Sequence, residues 1–180
     1  AQGINPYPHQ FDKKHSSLEL REKYHKLKHS QKSKDTAKTA GRLINIRDIG
    51  KIIFATLQDS SGRIQIVLQS PETPQKTKEF FKKYIDSGDF IGVQGPIMKT
   101  KTGELSVLVK SLDLLSKSLL PLPEKFHGLQ DKEERYRKRY LDLTINPEVK
   151  QIFEKRSKTI NALRDFLIDK EFLEVDTPVL

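Results

Sequence analysis

An aromatic ring, a guanidinium, a carboxamide and a carboxylate stand where a two-residue side-chain period turns them to one surface: Phe54, Arg47, Gln65 and Glu104. In residues 51–58 (KIIFATLQ) alternation puts Ile53, Ala55 and Leu57 on an apolar face and Ile52, Phe54, Thr56 and Gln58 on the opposite one. In residues 63–69 (RIQIVLQ) it buries Ile64, Ile66 and Leu68 and turns Arg63 and Gln65 outward. Extended to its neighbours, the pattern places Ile44 and Ile46 inside with Asn45 and Arg47 outside. It also places Leu105, Val107 and Val109 inside with Glu104 and Ser106 outside. A ring stacks on a base, and a carboxamide donates and accepts at its edge. A guanidinium meets phosphate or a carbonyl, and a carboxylate accepts from ring-nitrogen or hydroxyl donors. This is the chemistry of holding an unpaired base. In the competing reading an N-terminal helix covers Phe54 and the polar groups face water, and alternation leaves both open.

Bond-making chemistry has no visible counterpart. The sequence holds no Gly-rich phosphate loop, no Ser/His/Asp pattern and no defined acid–base pair, so no catalytic residue is expected in it. His25 and His29, with i,i+4 helical spacing, and His15 raise the question of a metal. Two imidazoles without a cysteine or a well-spaced carboxylate do not define a site, and no metal is expected. The absence of cysteine excludes disulfides and thiolate sites and suits a reducing cytoplasm, the expected location. No apolar run reaches the roughly 20 residues of a membrane span, so no membrane partner is expected. The 33 basic and 24 acidic residues leave a charge of +9, which favours a polyanionic partner. Between Lys13 and Arg42, ten Lys or Arg stand against three acids, so the excess lies in an N-terminal arm able to track a nucleic-acid backbone.

The elements that must position these groups follow from periodicity. Residues 1–15 read as an extended opening segment. A helix capped by Ser17, with Leu20, Tyr24 and Leu27 as its apolar stripe, precedes a polar connector over 31–38. Strands are predicted over 39–47, 51–59 and 63–68, then a helix over 75–86 with Phe80, Tyr84 and Ile85 as its apolar side. Two more strands are predicted over 90–98 and 105–115. That order, mainly β with α, is the order of a five-stranded OB-fold barrel. The predicted domains are 1–38, the extended segment and basic helix; 39–117, the barrel; 118–146, a linker; and 147–180. In the last, Asn146 and Pro147 start a long helix to about Asp169 with Val149, Ile152, Phe153, Ile160, Leu163, Phe166 and Leu167 on one face, followed by a strand-like 172–180. That face needs a partner, and the chain, which opens without Met and stops in an apolar run, is expected to be a piece of a longer protein.

The stretch LPLPEKFHGLQDKEERYRKRYLDL at residues 120–143 resembles the connector of class II lysyl-tRNA synthetases, as does GINPYPH at residues 3–9. With AGR at 40–42, FATLQD at 54–59, GRIQ at 62–65 and KTGELS at 101–106, the resemblance covers essentially the whole chain. It implies an anticodon-binding domain followed by the first long helix of a class II catalytic domain. Phe54 would stack on the central anticodon uridine, Gln65 and Arg47 would read it, and Glu104 would face the anticodon. The helix from Glu148 and the turn to Pro178 resemble class II motif 1. This implies a homodimer interface through Phe153, Ile160, Leu163, Phe166 and Pro178. Motifs 2 and 3, which hold ATP and the adenylate, would lie beyond Leu180. The resemblance therefore implies a lysine–tRNA ligase parent using ATP and Mg2+, with a lysine-type tRNA as partner, and a 180-residue chain that is itself inactive and binds no cofactor. The alternatives are an aspartyl or asparaginyl member of the subclass, a free-standing single-strand-binding module, and a dimerisation scaffold.

Overall fold

The structure, a computed structural model, describes residues 5–123, 129 and 131–178. Parts of the predicted opening segment, the connector and the strand-like end (residues 1–4, 124–128, 130 and 179–180) lie outside that set. The chain divides into two units, Ala1–Pro121 and Leu122–Leu180.

The first unit is a six-stranded sheet: β1 (Lys32–Ile49), β2 (Ile52–Gln58), β3 (Arg63–Gln69), β4 (Phe90–Lys99), β5 (Leu105–Leu108) and β6 (Ser111–Ser116). The sheet order is β1-β2-β3-β5-β4-β6, and a further β1–β4 pairing closes it partly into a ring, the OB-fold arrangement. All neighbours are antiparallel except β3 and β5. Inside the ring lie Leu43, Ile53, Ala55, Leu57, Ile64, Ile66, Leu68, Ile91, Val93, Ile97, Val107 and Val109, the inward half of each alternation. Helix α1 (Ser17–Lys23) sends Leu20, 1 % exposed, into this core, with Tyr24 and Leu27 packed beside it. Helix α2 (Gln75–Tyr84) contributes Phe81 and is followed by Ile85.

Several expectations are corrected. The polar connector over 31–38 is the first half of β1, where Thr36, Ala37 and Lys38 pair with Pro96, Gly95 and Gln94. Backbone hydrogen bonds hold this stretch, which needs no apolar pattern. The strand predicted over 105–115 is two, because Val109 N–H donates to Val67 O (2.9 Å) while Lys110 N–H donates to Gln94 O (2.8 Å), so the chain changes partner there. Ile44 is not inside: β1 bulges between Leu43 and Asn45. Leu43 exchanges backbone bonds with Gly88 and Asp89, and the Ile44 carbonyl accepts from Ser87 Oγ (3.0 Å). On α2 the deeply buried ring is Phe81, 2 % exposed, whereas the predicted Phe80 is only partly buried, and the helix ends at Tyr84.

The α1 cap is Ser16, not Ser17. Its hydroxyl accepts from Glu19 N–H (3.2 Å) and its own amide donates to the Glu19 carboxylate (2.7 Å), a reciprocal capping box. Ser17 is buried, its amide donating to Asp59 Oδ2 (2.8 Å). Asp59 ties the helix to the β2–β3 turn. It also accepts from Lys13 Nζ (2.8 Å), from the Ser61 amide (2.9 Å) and hydroxyl (2.7 Å), and from Gly62 N–H (3.0 Å). Burial alone would push this carboxyl up, but Lys13, Ser17 and Ser61 outweigh it and hold it well below the usual carboxylate range.

In the second unit the charged stretch read as linker is helical: α3 (Lys132–Arg137), capped by Asp131, and α4 (Arg139–Ile145). The fully buried Asp142 accepts from Arg135 Nε (2.9 Å), Arg139 and Asn146 Nδ2 (2.7 Å). Burial opposes its ionisation, and Asn146 and Arg135 reverse the balance and lower it. Helix α5 (Pro147–Ile168) starts at Asn146 with Pro147 in its first turn, although the Asn146 amide serves Asp142 and not the helix end. Phe153, Ile160, Leu163, Phe166 and Pro178 are all exposed, and residues 172–178 form no strand.

Candidate nucleic-acid interface

Because β2 and β3 run without a bulge, the outward set of each strand stays in phase, and pairing extends it over four strands. Residues directly opposite on paired strands share a face. One row runs Arg47, Phe54, Val67, Leu108; the next runs Asn45, Thr56, Gln65, Ser106. Arg47 is opposite Phe54, and Gln65 is its diagonal neighbour on β3. Glu104 precedes Ser106 by two residues, just before β5, and so continues the same face one row beyond the second, on the side of Arg63.

Phe54 is half-buried and lies outside the core cluster. It does not stand among polar neighbours alone, since Val67 and Leu108 in its row are 1 % and 0 % exposed and give the ring an apolar flank. The helix that the competing reading would lay over Phe54 places Leu20 in the core. Arg47 is exposed, and among the described residues its guanidinium has no hydrogen-bond or carboxylate partner. Glu104 is half-exposed and faces Arg21 Nη2 at 3.5 Å, while Arg21 Nε donates to the Arg63 carbonyl (2.8 Å). Arg21 is thereby a second cation at the rim.

Ser106 was expected outside, and it is on the outer face, yet it is completely buried. Its Oγ donates to Gln65 Oε1 at 2.7 Å. Asn45, Thr56, Ser106 and Arg21 were not singled out as site residues by the sequence. Alternation offered a signal for Asn45 and Thr56. Alternation also turned Ser106 outward, but nothing local signals its burial and its bond to Gln65, which depend on the parallel β3–β5 pairing, or the place of Arg21, which depends on the docking of α1. The arrangement offers an apolar-flanked ring for stacking, an unpaired cation, a held carboxamide and a carboxylate on one face.

The structure does not bring the histidine pair onto one helix. Helix α1 ends at Lys23, so His25 and His29 never share a helical face. His25 Nδ1 meets Glu22 O (2.6 Å) and His29 Nδ1 meets Lys101 O (3.1 Å). Among the described residues no three His, Asp or Glu side chains converge as a metal site, and no helix is long and apolar enough to cross a membrane.

The family model described as an OB-fold nucleic acid binding domain matches residues 37–115, and that of the class II tRNA synthetases (D, K and N) matches residues 131–180. Among similar proteins are "Lysine--tRNA ligase 2" of Methanosarcina mazei, 52 % identical over 180 residues, and its namesake in Methanosarcina acetivorans, 49 % identical over 180 residues. Both alignments cover 100 % of this chain and 35 % of the relative. "Lysine--tRNA ligase" of Methanoculleus marisnigri is 44 % identical over 178 residues, 99 % of this chain and 35 % of its own length. The chain thus spans about a third of the length of these relatives.

Proposed function

We propose that this chain belongs to the class II tRNA synthetases of the D, K and N type, and that its first unit, which matches the OB-fold nucleic-acid-binding domain, reads the anticodon of a lysine-accepting tRNA for a lysine–tRNA ligase. The observation that carries this reading is the unpaired Arg47 guanidinium beside Phe54, with the Gln65 amide diagonal to the ring on the same face. Phe54 stacks on the central uridine with Val67 and Leu108 behind it. Gln65 and Arg47 meet the base edge or the adjoining phosphate, and Glu104 accepts from a neighbouring base. The excess of positive charge between Lys13 and Arg42 draws the RNA backbone and makes binding salt-dependent. Lysine is favoured over aspartate or asparagine by relatives of 44 to 52 % identity that are named lysine–tRNA ligases and align along the chain.

The whole protein activates lysine with ATP and Mg2+ and transfers it to the tRNA, in the cytoplasm, as a homodimer. The exposed apolar side of α5, with Phe153, Ile160, Leu163 and Phe166, supports the dimer, and Pro178 is exposed as well. No step involving ATP or Mg2+ is assigned to the residues described. The 180-residue chain is proposed to give pyrophosphate exchange no faster than background.

The test is a titration of the chain against a labelled anticodon stem–loop RNA. A loop with central uridine is expected to bind at least about tenfold tighter than one with central adenosine, as one good base contact provides. Equal affinity for both loops and for single-stranded DNA of the same sequence would replace this reading with a non-selective single-strand binder.

A further inference from the structure

Ser106 is an oddity for an outer face: a hydroxyl with no solvent exposure, in a strand whose neighbours Leu105, Val107 and Leu108 are apolar. A buried hydroxyl must be satisfied, and it has one proton to give. Two acceptors are in reach, Gln65 Oε1 at 2.7 Å and the Glu104 carbonyl at 3.3 Å. The shorter, better-placed bond goes to Gln65. Turning the Gln65 amide over would bring its NH2 to Ser106 Oγ and leave the hydroxyl proton only the 3.3 Å contact. The observed arrangement therefore has the stronger donation. With Oε1 turned toward Ser106, the group Gln65 presents on its other side is Nε2, which has no partner among the described residues. The Gln65–Ser106 pairing of β3 with β5 holds the two side chains together.

We infer that Ser106 is a positioning residue that fixes the polarity of the reading site: by occupying Gln65 Oε1 it presents amide donors outward, so the site selects a base that shows a carbonyl acceptor. This rests on the anticodon reading proposed above and adds to it the source of the selectivity. Uracil shows a carbonyl oxygen, O4, where cytosine shows an amino group. A fixed donor pairs with the first and confronts the second. A free amide could rotate and serve either, since a carboxamide donates at one end and accepts at the other.

The experiment measures binding of the full 180-residue chain to two labelled anticodon stem–loops differing only in central uridine or cytidine. The wild-type protein is expected to prefer uridine. Ser106→Ala frees the amide, and the uridine-to-cytidine affinity ratio is expected to fall about tenfold. Ser106→Thr keeps the hydroxyl and is expected to keep the ratio. A merely structural role for Ser106 would weaken both loops alike. An unchanged ratio in Ser106→Ala, with wild-type discrimination intact, overturns the positioning role and leaves the anticodon reading standing. Absence of discrimination in the wild-type protein overturns both. Should Ser106→Ala fail to fold, Gln65→Glu decides the polarity: it removes the outward donor, so collapse or reversal of the ratio supports the inference, and a preserved uridine preference overturns it.

Discussion

Replacing Phe54 by alanine separates stacking from core packing, because the two assign its cost to different measurements. A ring on which a base stacks is worth about 1 to 3 kcal/mol per base on truncation, or roughly 5- to 150-fold in Kd. The stability cost follows from burial. Phe54 is half-buried and outside the core cluster, and full burial of such a side chain is worth about 1.5 to 3 kcal/mol, so its loss should cost the fold about 1 kcal/mol. Phe81, 2 % exposed in the same unit, is the internal standard, with an expected cost of about 3 to 5 kcal/mol. Fluorescence anisotropy with a central-uridine stem–loop gives Kd, and urea unfolding of the two variants gives the stabilities. The expected outcome is a large affinity loss with a small stability loss for Phe54→Ala, and a large stability loss for Phe81→Ala. Phe54→Ala as destabilising as Phe81→Ala, or a Kd within twofold of wild type, would refute the stacking role.

Other consequences are measurable in the same way. Arg47→Ala should leave stability within about 0.5 kcal/mol, as for an exposed and unpartnered side chain, while lowering the slope of log K against log salt by about 0.7. Asp59→Asn should cost about 2 to 4 kcal/mol near neutral pH, through charge-assisted hydrogen bonds to Lys13 and the Ser17 amide. Because folding lowers the Asp59 pKa, its contribution is complete above the unfolded value of about 4 and declines below it. The wild-type advantage over Asp59→Asn, followed by urea unfolding across pH, should therefore be flat from pH 7 to about 5 and shrink in more acidic buffer. Gly95→Ala should be severely destabilising in thermal melts, since its Cβ would stand 1.8 Å from the Leu108 carbonyl oxygen where β4 passes the end of β5.

Much of the fold and the central pair of the candidate site could be read from alternation, because β2 and β3 are unbroken and their pattern has no exceptions between Ile52 and Leu68 except the buried Val67. Where the reading failed, a distant segment decided the local geometry. The turn at 87–89 creates the bulge at Ile44, the switch of partner from β3 to β4 divides β5 from β6, and pairing with β4 makes a strand of polar residues 32–38. A carboxylate in the Asp59-Ser-Ser-Gly62 turn reads as turn chemistry. Its role in seating α1 depends on Lys13 and Ser17, more than 40 residues earlier. Ser106 was legible only as an outward serine. Its burial and its bond to Gln65 come from a parallel neighbour that no local pattern announces.

The central claim is that one face of the ring, between Arg47 and Gln65, holds the middle base of an anticodon loop. Ultraviolet cross-linking of a stem–loop carrying 4-thiouridine at that position, followed by mass mapping of the attached peptide, tests it directly. Attachment within β2 at Phe54, lost in Phe54→Ala, is the predicted result; attachment to α2 or to the second unit, with β2 unmodified, would contradict it.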